Sequence, residues 1–271
     1  DRIGFFNDDI RDSIKGSVFE VKETGFVNGA KGLETQIRSS VLGFCDGTGG
    51  YQPSSAHQSV SYVSAHDNYT LWDKLVHTLT DSMEPDFGAY NEVALAQNRL
   101  AAGIYFTCLG ITFLQAGEEA ARTKYGDDNS YRSPDSVNSL KWATLDKPEY
   151  QDVLSYYKGL IAFRKAHGAL RLSTRENVQR CVHPVYCENE HCVAFRIDEP
   201  EGEIFAVFNA DAQPVSVSLP DGHWNVNIRD GRAGTGTMET VSGTVLVSPI
   251  SAMVLTRRKA IEVVAGLIWD K

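Results

Sequence analysis

The sequence predicts an α/β region followed by an all-β region, the second part an antiparallel β-sandwich. Three observations predict it. Before residue 168, apolar residues at three- and four-residue spacing alternate with short apolar runs, the pattern of helices alternating with buried strands. From Cys181 onward the apolar period falls to two. Turn signals at Glu199 to Gly202, Asp221-Gly222, Asp230-Gly231 and Ser242-Gly243 then break that part into short strands.

In chain order, Ile3 to Phe6 reads as a strand and Asp8 to Asp12 opens a short helix. Residues 16 to 56 are rich in Gly and Ser and read as a long surface excursion. Val60 to Ser64 reads as a strand, and Thr70 to Leu79 as a helix with Leu71, Leu75 and Leu79 four apart. Residues 91 to 109 predict a buried helix on Val93, Ala96, Leu100, Ile104 and Cys108, with Ala101-Ala102-Gly103 allowing close packing and Gly110 as its stop. Ile111 to Leu114 is a short strand leading into Gln115-Ala116-Gly117-Glu118-Glu119. Asp146 and Glu149 read as a capping box for a helix with Val153, Leu154, Tyr157, Leu160 and Ile161 on one face, ending at Gly168. In the β part, Val193, Phe195 and Ile197, then Val215, Val217 and Leu219, then Trp224, Val226 and Ile228 alternate with polar neighbours. Residues 259 to 271 form an apolar tail with no assignment.

Composition narrows the function classes. Of 271 residues, 42% are hydrophobic and 23% charged, which excludes a disordered or collagen-like chain. The net charge of −9 argues against nucleic acid as a partner. No apolar run approaches the roughly twenty residues that cross a bilayer, so no membrane partner is expected. The first residues show no signal-peptide core, and the chain has no initiator Met. The five cysteines do not read as a disulfide framework, which leans towards a reducing, cytoplasmic compartment.

Four stretches carry candidate chemistry. Ser64-Ala65-His66-Asp67-Asn68 ends a predicted strand, where an α/β barrel places its site; the carboxylate can stabilise developing positive charge and the imidazole can donate to a hydroxyl. A capping Asp beside a surface His is the plain alternative. Gly117-Glu118-Glu119 offers two carboxylates, although neighbours in a loop seldom point the same way and a helix start also favours acids. Tyr125 to Tyr131 combines Asp, Asn and Tyr, which hydrogen-bond and stack on a sugar, against a plain solvated loop. Counted as a calcium loop from Asp127, that run has Arg132 where glycine belongs and Asn138 where the closing glutamate belongs, so a calcium site is not indicated. Cys181, His183, Cys187, His191 and Cys192 match no zinc spacing. The sequence contains no phosphate-binding loop, dinucleotide glycine triplet or Gly-x-Ser-x-Gly elbow, and Asn68-Tyr69-Thr70 is a formal sequon beside the candidate site.

Val63-Ser64-Ala65-His66-Asp67-Asn68-Tyr69-Thr70-Leu71-Trp72-Asp73 resembles the strand-seven motif of type I pullulanases, debranching enzymes of the α-amylase clan. Residues 6 to 16, Gln115 to Glu119, Lys124 to Tyr131 with Ser133-Pro134-Asp135, and Tyr156 to Ile161 resemble them too. The resemblance implies that residues 1–169 are the C-terminal part of a (β/α)8 barrel, roughly its last three strand–helix units, and that residues 170–258 are an all-β domain. It implies a retaining glycoside hydrolase acting on α-1,6-glucosidic bonds in pullulan and branched starch or glycogen. Asp67 would be the transition-state-stabilising carboxylate and His66 would bond the same sugar. Asn68, Trp72, Asp128, Asn129 and Tyr131 would contact substrate. The family's nucleophile and acid/base motifs do not occur here, so the isolated chain is expected to be inactive and to need the N-terminal part of the barrel, or to self-associate through exposed barrel edges. The partner is then an α-glucan such as pullulan, amylopectin or a limit dextrin, with no cofactor required. The competing reading is a non-catalytic α-glucan-binding or structural remnant; α-1,4 hydrolysis is a third.

Overall fold

A computed structural model describes residues 3–47 and 52–258. The apolar tail at 259–271 lies outside them. The first part runs β1 (Phe5–Phe6), α1 (Asp8–Lys15), α2 (Glu34–Val41), β2 (Ser59–Ser61), α3 (Leu71–Thr78), α4 (Glu92–Thr107), β3 (Ile111–Thr112), α5 (Asp135–Asn138), α6 (Pro148–Ala166) and α7 (Arg175–Cys181). Its strands form one parallel sheet in the order β1-β2-β3, with Phe6 opposite Val60 and Val60 opposite Ile111. Parallel neighbours need crossover connections, and the helices supply them.

Local chemistry sets these boundaries. Asn7 caps α1 by accepting from the backbone of Asp9 at 3.0 Å, with Asp8 and Asp9 in the first turn and Lys15 in the last. Thr70 caps α3 through the amide of Asp73 at 3.1 Å, and Asn91 caps α4 through that of Ala94 at 3.0 Å. Gly103 in α4 does what its small neighbours suggested: a Cβ there would lie 2.7 Å from the Ala252 methyl, so the helix backbone rests on the β-rich part. Gly110 has φ +94 and passes so close to the Ala56 and Ser59 carbonyls that a side chain cannot be placed. It turns the chain from α4 into β3.

The second part contains β4 (Val182–Val185), β5 (Cys192–Glu199), β6 (Gly202–Asn209), β7 (Val215–Ser218), β8 (Trp224–Arg229), β9 (Arg232–Ala233), β10 (Glu239–Val241), β11 (Thr244–Val247) and β12 (Ser251–Arg258). Seven strands form an antiparallel sheet in the order β10-β8-β12-β6-β5-β4, with β9 paired to β8, and β7 pairs with β11 in a small second sheet. One face of the large sheet meets β7 and β11 over a core of Phe205, Val207, Trp224, Val226, Met253 and Leu255. The opposite face shares a core with the helices through Val193, Phe195, Ile204, Phe208 and Val254. The β-sandwich is therefore present, and the helical part is sealed to its back. No described helix is long and apolar enough to cross a membrane.

Several expectations are corrected. Residues 16 to 56 are not an open excursion: the described part contains α2, whose Ile37 and Val41 are fully buried. The strand expected over Val60 to Ser64 is Ser59–Ser61, because the chain leaves the sheet to build the loop described below. Val93 of α4 and Ile161 of α6 are exposed; Ala94, Leu95, Tyr156 and Phe163 face the core instead, since each helix is buried over a wider arc than the chosen stripe. Asp146 closes a 3-10 turn and does not cap α6, which starts at Pro148 with Lys147 before it and no side-chain cap. Proline at the first helical position needs no partner for an amide it lacks. His167, one residue before Gly168, is the C-cap of α6. Cys181 ends α7 rather than starting a strand. The alternation with polar neighbours fails for β6, which is buried at all eight positions, because helices cover the face that would otherwise meet water.

Candidate active site

The three parallel strands end side by side, and an aromatic residue stands at each end. Phe6 closes β1, Tyr62 follows β2 and Phe113 follows β3. Their rings meet edge-on, Phe6 to Tyr62 at 4.9 Å and Phe6 to Phe113 at 5.0 Å. Above them is an open cavity of about 330 Å³, walled further by Arg11, Lys15 and the run Ser64 to Tyr69. The C-terminal ends of parallel strands are where α/β proteins bind ligands.

His66 and Asp67 project from the rim. His66 Nε2 lies 3.4 Å from Asp67 Oδ2, and both side chains are exposed, at 89% and 75%. Neither is consumed by capping a helix, since Thr70 does that. Asn68 also lines the cavity and takes a left-handed conformation, φ +58, which bends the segment back towards α3.

The backbone carrying these side chains is held from four directions. Ser64 Oγ donates to Glu118 Oε2 at 2.6 Å. Gln115 Nε2 donates to the Ala65 carbonyl. Lys124 Nζ donates to the His66 carbonyl at 3.3 Å, and Lys15 Nζ to the Tyr69 carbonyl at 3.3 Å. Each tie crosses fifty or more residues of sequence. The His-Asp pair is exposed, but its mounting is buried.

Glu118 and Lys15 form the base of that mounting. Both are buried, Lys15 completely. Burial pushes the Glu118 carboxyl up to about 7, against the Ser64 hydroxyl, Lys15 and Tyr105, which favour its ionised form. Burial pushes the Lys15 ammonium down to about 7, against the nearby Glu118. Each is driven towards its neutral form, and each limits that drive in the other. Glu119 points away and accepts from the Gly117 amide at 2.9 Å. The two adjacent glutamates are therefore not a catalytic pair.

The loop at 123–131 is fastened to the first by Asp73, which is fully buried. Its carboxylate accepts from the Thr123 hydroxyl and, at 2.8 Å, from the Lys124 amide. Asp128 and Asn129 are exposed on this loop, and Tyr131 is 72% exposed. Burial and then the Asp128 carboxylate raise the Tyr69 phenol. Trp72 is placed otherwise than expected: it is 2% exposed, its indole nitrogen donates to the Phe87 carbonyl at 2.9 Å, and its ring packs in the core. It is a packing residue, not a surface for sugar.

Sequence reasoning passed over Arg11, Tyr62, Phe113, Asp73 and Lys15. Arg11 lines the cavity wall with its guanidinium fully engaged: it donates to Asp8 at 2.9 Å, to both oxygens of Asp12 at 2.6 and 3.0 Å, and to the Tyr62 hydroxyl at 3.1 Å. Their common signal is position: Tyr62 and Phe113 each follow a strand, and Asp73 lies six residues after Asp67. Among the described residues no group of three or more His, Cys, Asp or Glu side chains is arranged to hold a metal ion.

No protein-family model matches the chain. Comparison with individual proteins is informative. The chain is 35% identical over 230 residues to pullulanase from Bacillus subtilis (strain 168), covering 81% of this chain and 30% of that protein. It is 28% identical to isoamylase SU1 of Zea mays over 60% of its length. Among solved structures, it matches a pullulanase from Bacillus acidopullulyticus with TM-score 0.85 and 29% identity, over 94% of this chain and 30% of that one. It matches the Paenibacillus barengoltzii pullulanase solved with maltohexaose and alpha-cyclodextrin with TM-score 0.80 and 34% identity, over 95% of this chain and 39% of that one. The chain thus spans about a third of the length of the proteins it matches, and over that span it is pullulanase-like in both sequence and fold.

Proposed function

We propose that this chain is part of a retaining glycoside hydrolase that cleaves α-1,6-glucosidic bonds in pullulan and branched starch or glycogen. Asp67 is its transition-state-stabilising carboxylate and His66 a hydrogen-bond donor to the same sugar. The observation that supports this best is the exposed His66–Asp67 pair, mounted at the rim of a cavity over the ends of parallel strands. In glycoside cleavage the sugar ring develops oxocarbenium character, and a fixed carboxylate beside it is worth more than one that must reorganise. The four ties to Ser64, Ala65, His66 and Tyr69 provide that fixity. Asn68, and Asp128, Asn129 and Tyr131 on the second loop, take the role of outer contacts.

Retention requires a nucleophile and an acid/base about 5–5.5 Å apart. Asp67 is the carboxylate that lines the cavity among the described residues, and Glu118 beneath it is engaged by Ser64 and Tyr105. The other two carboxylates therefore come from elsewhere. In this reading β1 to β3 are three successive strands of a (β/α)8 barrel, and the outer edges of β1 and β3 pair with its remaining strands. Exposed Phe5 and Ile111 on those strands fit such a seam.

A chimera tests the reading. The chain replaces its matching segment in the Bacillus subtilis pullulanase, and product release from pullulan is measured. Maltotriose should appear, and Asp67→Asn should lower its rate about a hundredfold or more. A folded chimera that binds pullulan without releasing maltotriose would favour a glucan-binding remnant. An Asp67→Asn chimera of unchanged rate would remove Asp67 from the mechanism.

A further inference from the structure

The hairpin joining β4 to β5 carries two cysteines that lie apart from the cavity. The ladder pairs Pro184 with Phe195 and Val185 with Ala194. Continued by two residues, the same register sets Cys187 opposite Cys192. Alternation puts both on one face, and both pack against the sandwich core. Their thiols are close enough that each shifts the other. Residues directly opposite in an antiparallel pair have Cα atoms about 4.5–5.5 Å apart, within the range a disulfide bridges.

We propose that Cys187 and Cys192 are a modification site, joined by a cross-strand disulfide on exchange with a small-molecule disulfide such as oxidised glutathione. The Cys187 thiolate attacks one sulfur of oxidised glutathione and expels one glutathione thiolate. Cys192 then loses its proton, attacks Cys187 Sγ and expels the second. Two protein thiols are oxidised and two glutathione thiols are formed. Cys187 is the half-exposed member and Cys192 the buried one, which sets this order. Cys192 lowers the Cys187 thiol, and Cys187 together with burial raises that of Cys192. Cys45 and Cys108 are poor competitors: both are buried, and burial pushes their thiols up to about 11 and about 12.

The link has a structural consequence. It closes the turn at 188–191, and His191 in that turn bonds the Ala30 carbonyl at 2.8 Å and meets the Phe26 ring edge-on. The turn is one place where the β-rich part grips the helical part, and β4 is an edge strand with a single ladder partner. Oxidation staples this edge. The inference does not depend on the proposed hydrolase role.

The test uses the full chain, incubated with oxidised glutathione, then mapped as peptides without reduction. The expected product links Cys187 to Cys192 with the loss of two hydrogens, and the oxidised chain has a Tm higher by roughly a few degrees. Cys181→Ser should leave the link and the Tm rise intact, whereas Cys187→Ser should abolish both and leave Cys192 unmodified. The proposal is overturned if Cys187 stays as a glutathione mixed disulfide, if it pairs with Cys181, or if Cys187→Ser still shows the Tm rise on oxidation.

Discussion

The two sheets of this molecule are fixed by different chemistry. The parallel strands β1, β2 and β3 are two or three residues long, too short to define a frame by ladder bonds alone. Their surroundings are tied by cations, Lys74 buried and Lys22 and Arg164 half-buried, that reach distant carbonyls. Lys74 Nζ binds the carbonyls of Ser17, Glu20 and Val21, Lys22 Nζ those of His77, Thr80 and Ser82, and Arg164 those of Phe106, Cys108 and Gly110. In the antiparallel sheet, β5, β6 and β12 are eight residues long, and β6 pairs in register with β5 and β12 throughout, with cores on both faces of the sheet. One region is framed by long ladders and apolar area, the other by a large apolar core to which these polar ties are added. The candidate site grows on the second kind of frame, where loops can be shaped without being hydrophobic.

The largest expected effect tests the apolar side of this contrast. Phe208 in β6 is fully buried between the sheet and the helices. Phe208→Ala should cost about 3–5 kcal/mol in urea unfolding. A loss under about 1 kcal/mol would mean the helical layer collapses into the gap, and the two parts are not packed as one core.

Next comes the polar frame. Lys15→Met preserves the stem, removes the bond to the Tyr69 carbonyl and leaves Glu118 without its cation. It should cost about 2–3 kcal/mol. The same pair gives a pH dependence. Glu118 holds its proton to about 7 when folded, above its ordinary value of 4.5. Its contribution is therefore full below about 4.5 and is lost as pH rises through about 7. Over that window the wild type should lose roughly 3 kcal/mol relative to Glu118→Gln. In Lys15→Met the loss should extend to higher pH. A flat difference between wild type and Glu118→Gln would mean that Glu118 titrates as an ordinary carboxylate.

The same contrast explains what the sequence revealed. Helices α3 and α4 were legible from apolar residues at three- and four-residue spacing and α1 from the run opening at Asp8; the caps Asn7, Thr70 and Asn91 fix those starts in the structure. The candidate His66–Asp67 pair was legible because the two residues follow a strand and lie side by side. Its mounting was not, because Lys15, Gln115, Glu118 and Lys124 are ordinary polar residues until the chain brings them beneath the loop. Nothing local distinguishes Glu118, which turns inward, from Glu119, which does not. Trp72 misled for the opposite reason: an aromatic residue in a sugar-site motif suggests stacking, yet its place on α3 faces the core. Strand periodicity was most informative where one face meets water.

That last point yields the smallest predicted effect and the sharpest test of the β region. β7 and β11 alternate cleanly, with Val245 and Val247 buried and Thr244 and Leu246 exposed. Unlike β6, this small sheet has no helix over its outer face among the described residues. Leu246→Thr should stay within about 0.5 kcal/mol of the wild type. Val245→Thr, one residue away, places a hydroxyl in the sandwich core and should cost about 1–3 kcal/mol. The two variants differ in little but the parity of the position, so paired urea titrations isolate the register of β11 against β7. Equal costs would mean that the register slips or that the outer face of the small sheet is covered in solution, and the one-sided burial assigned to it would be wrong.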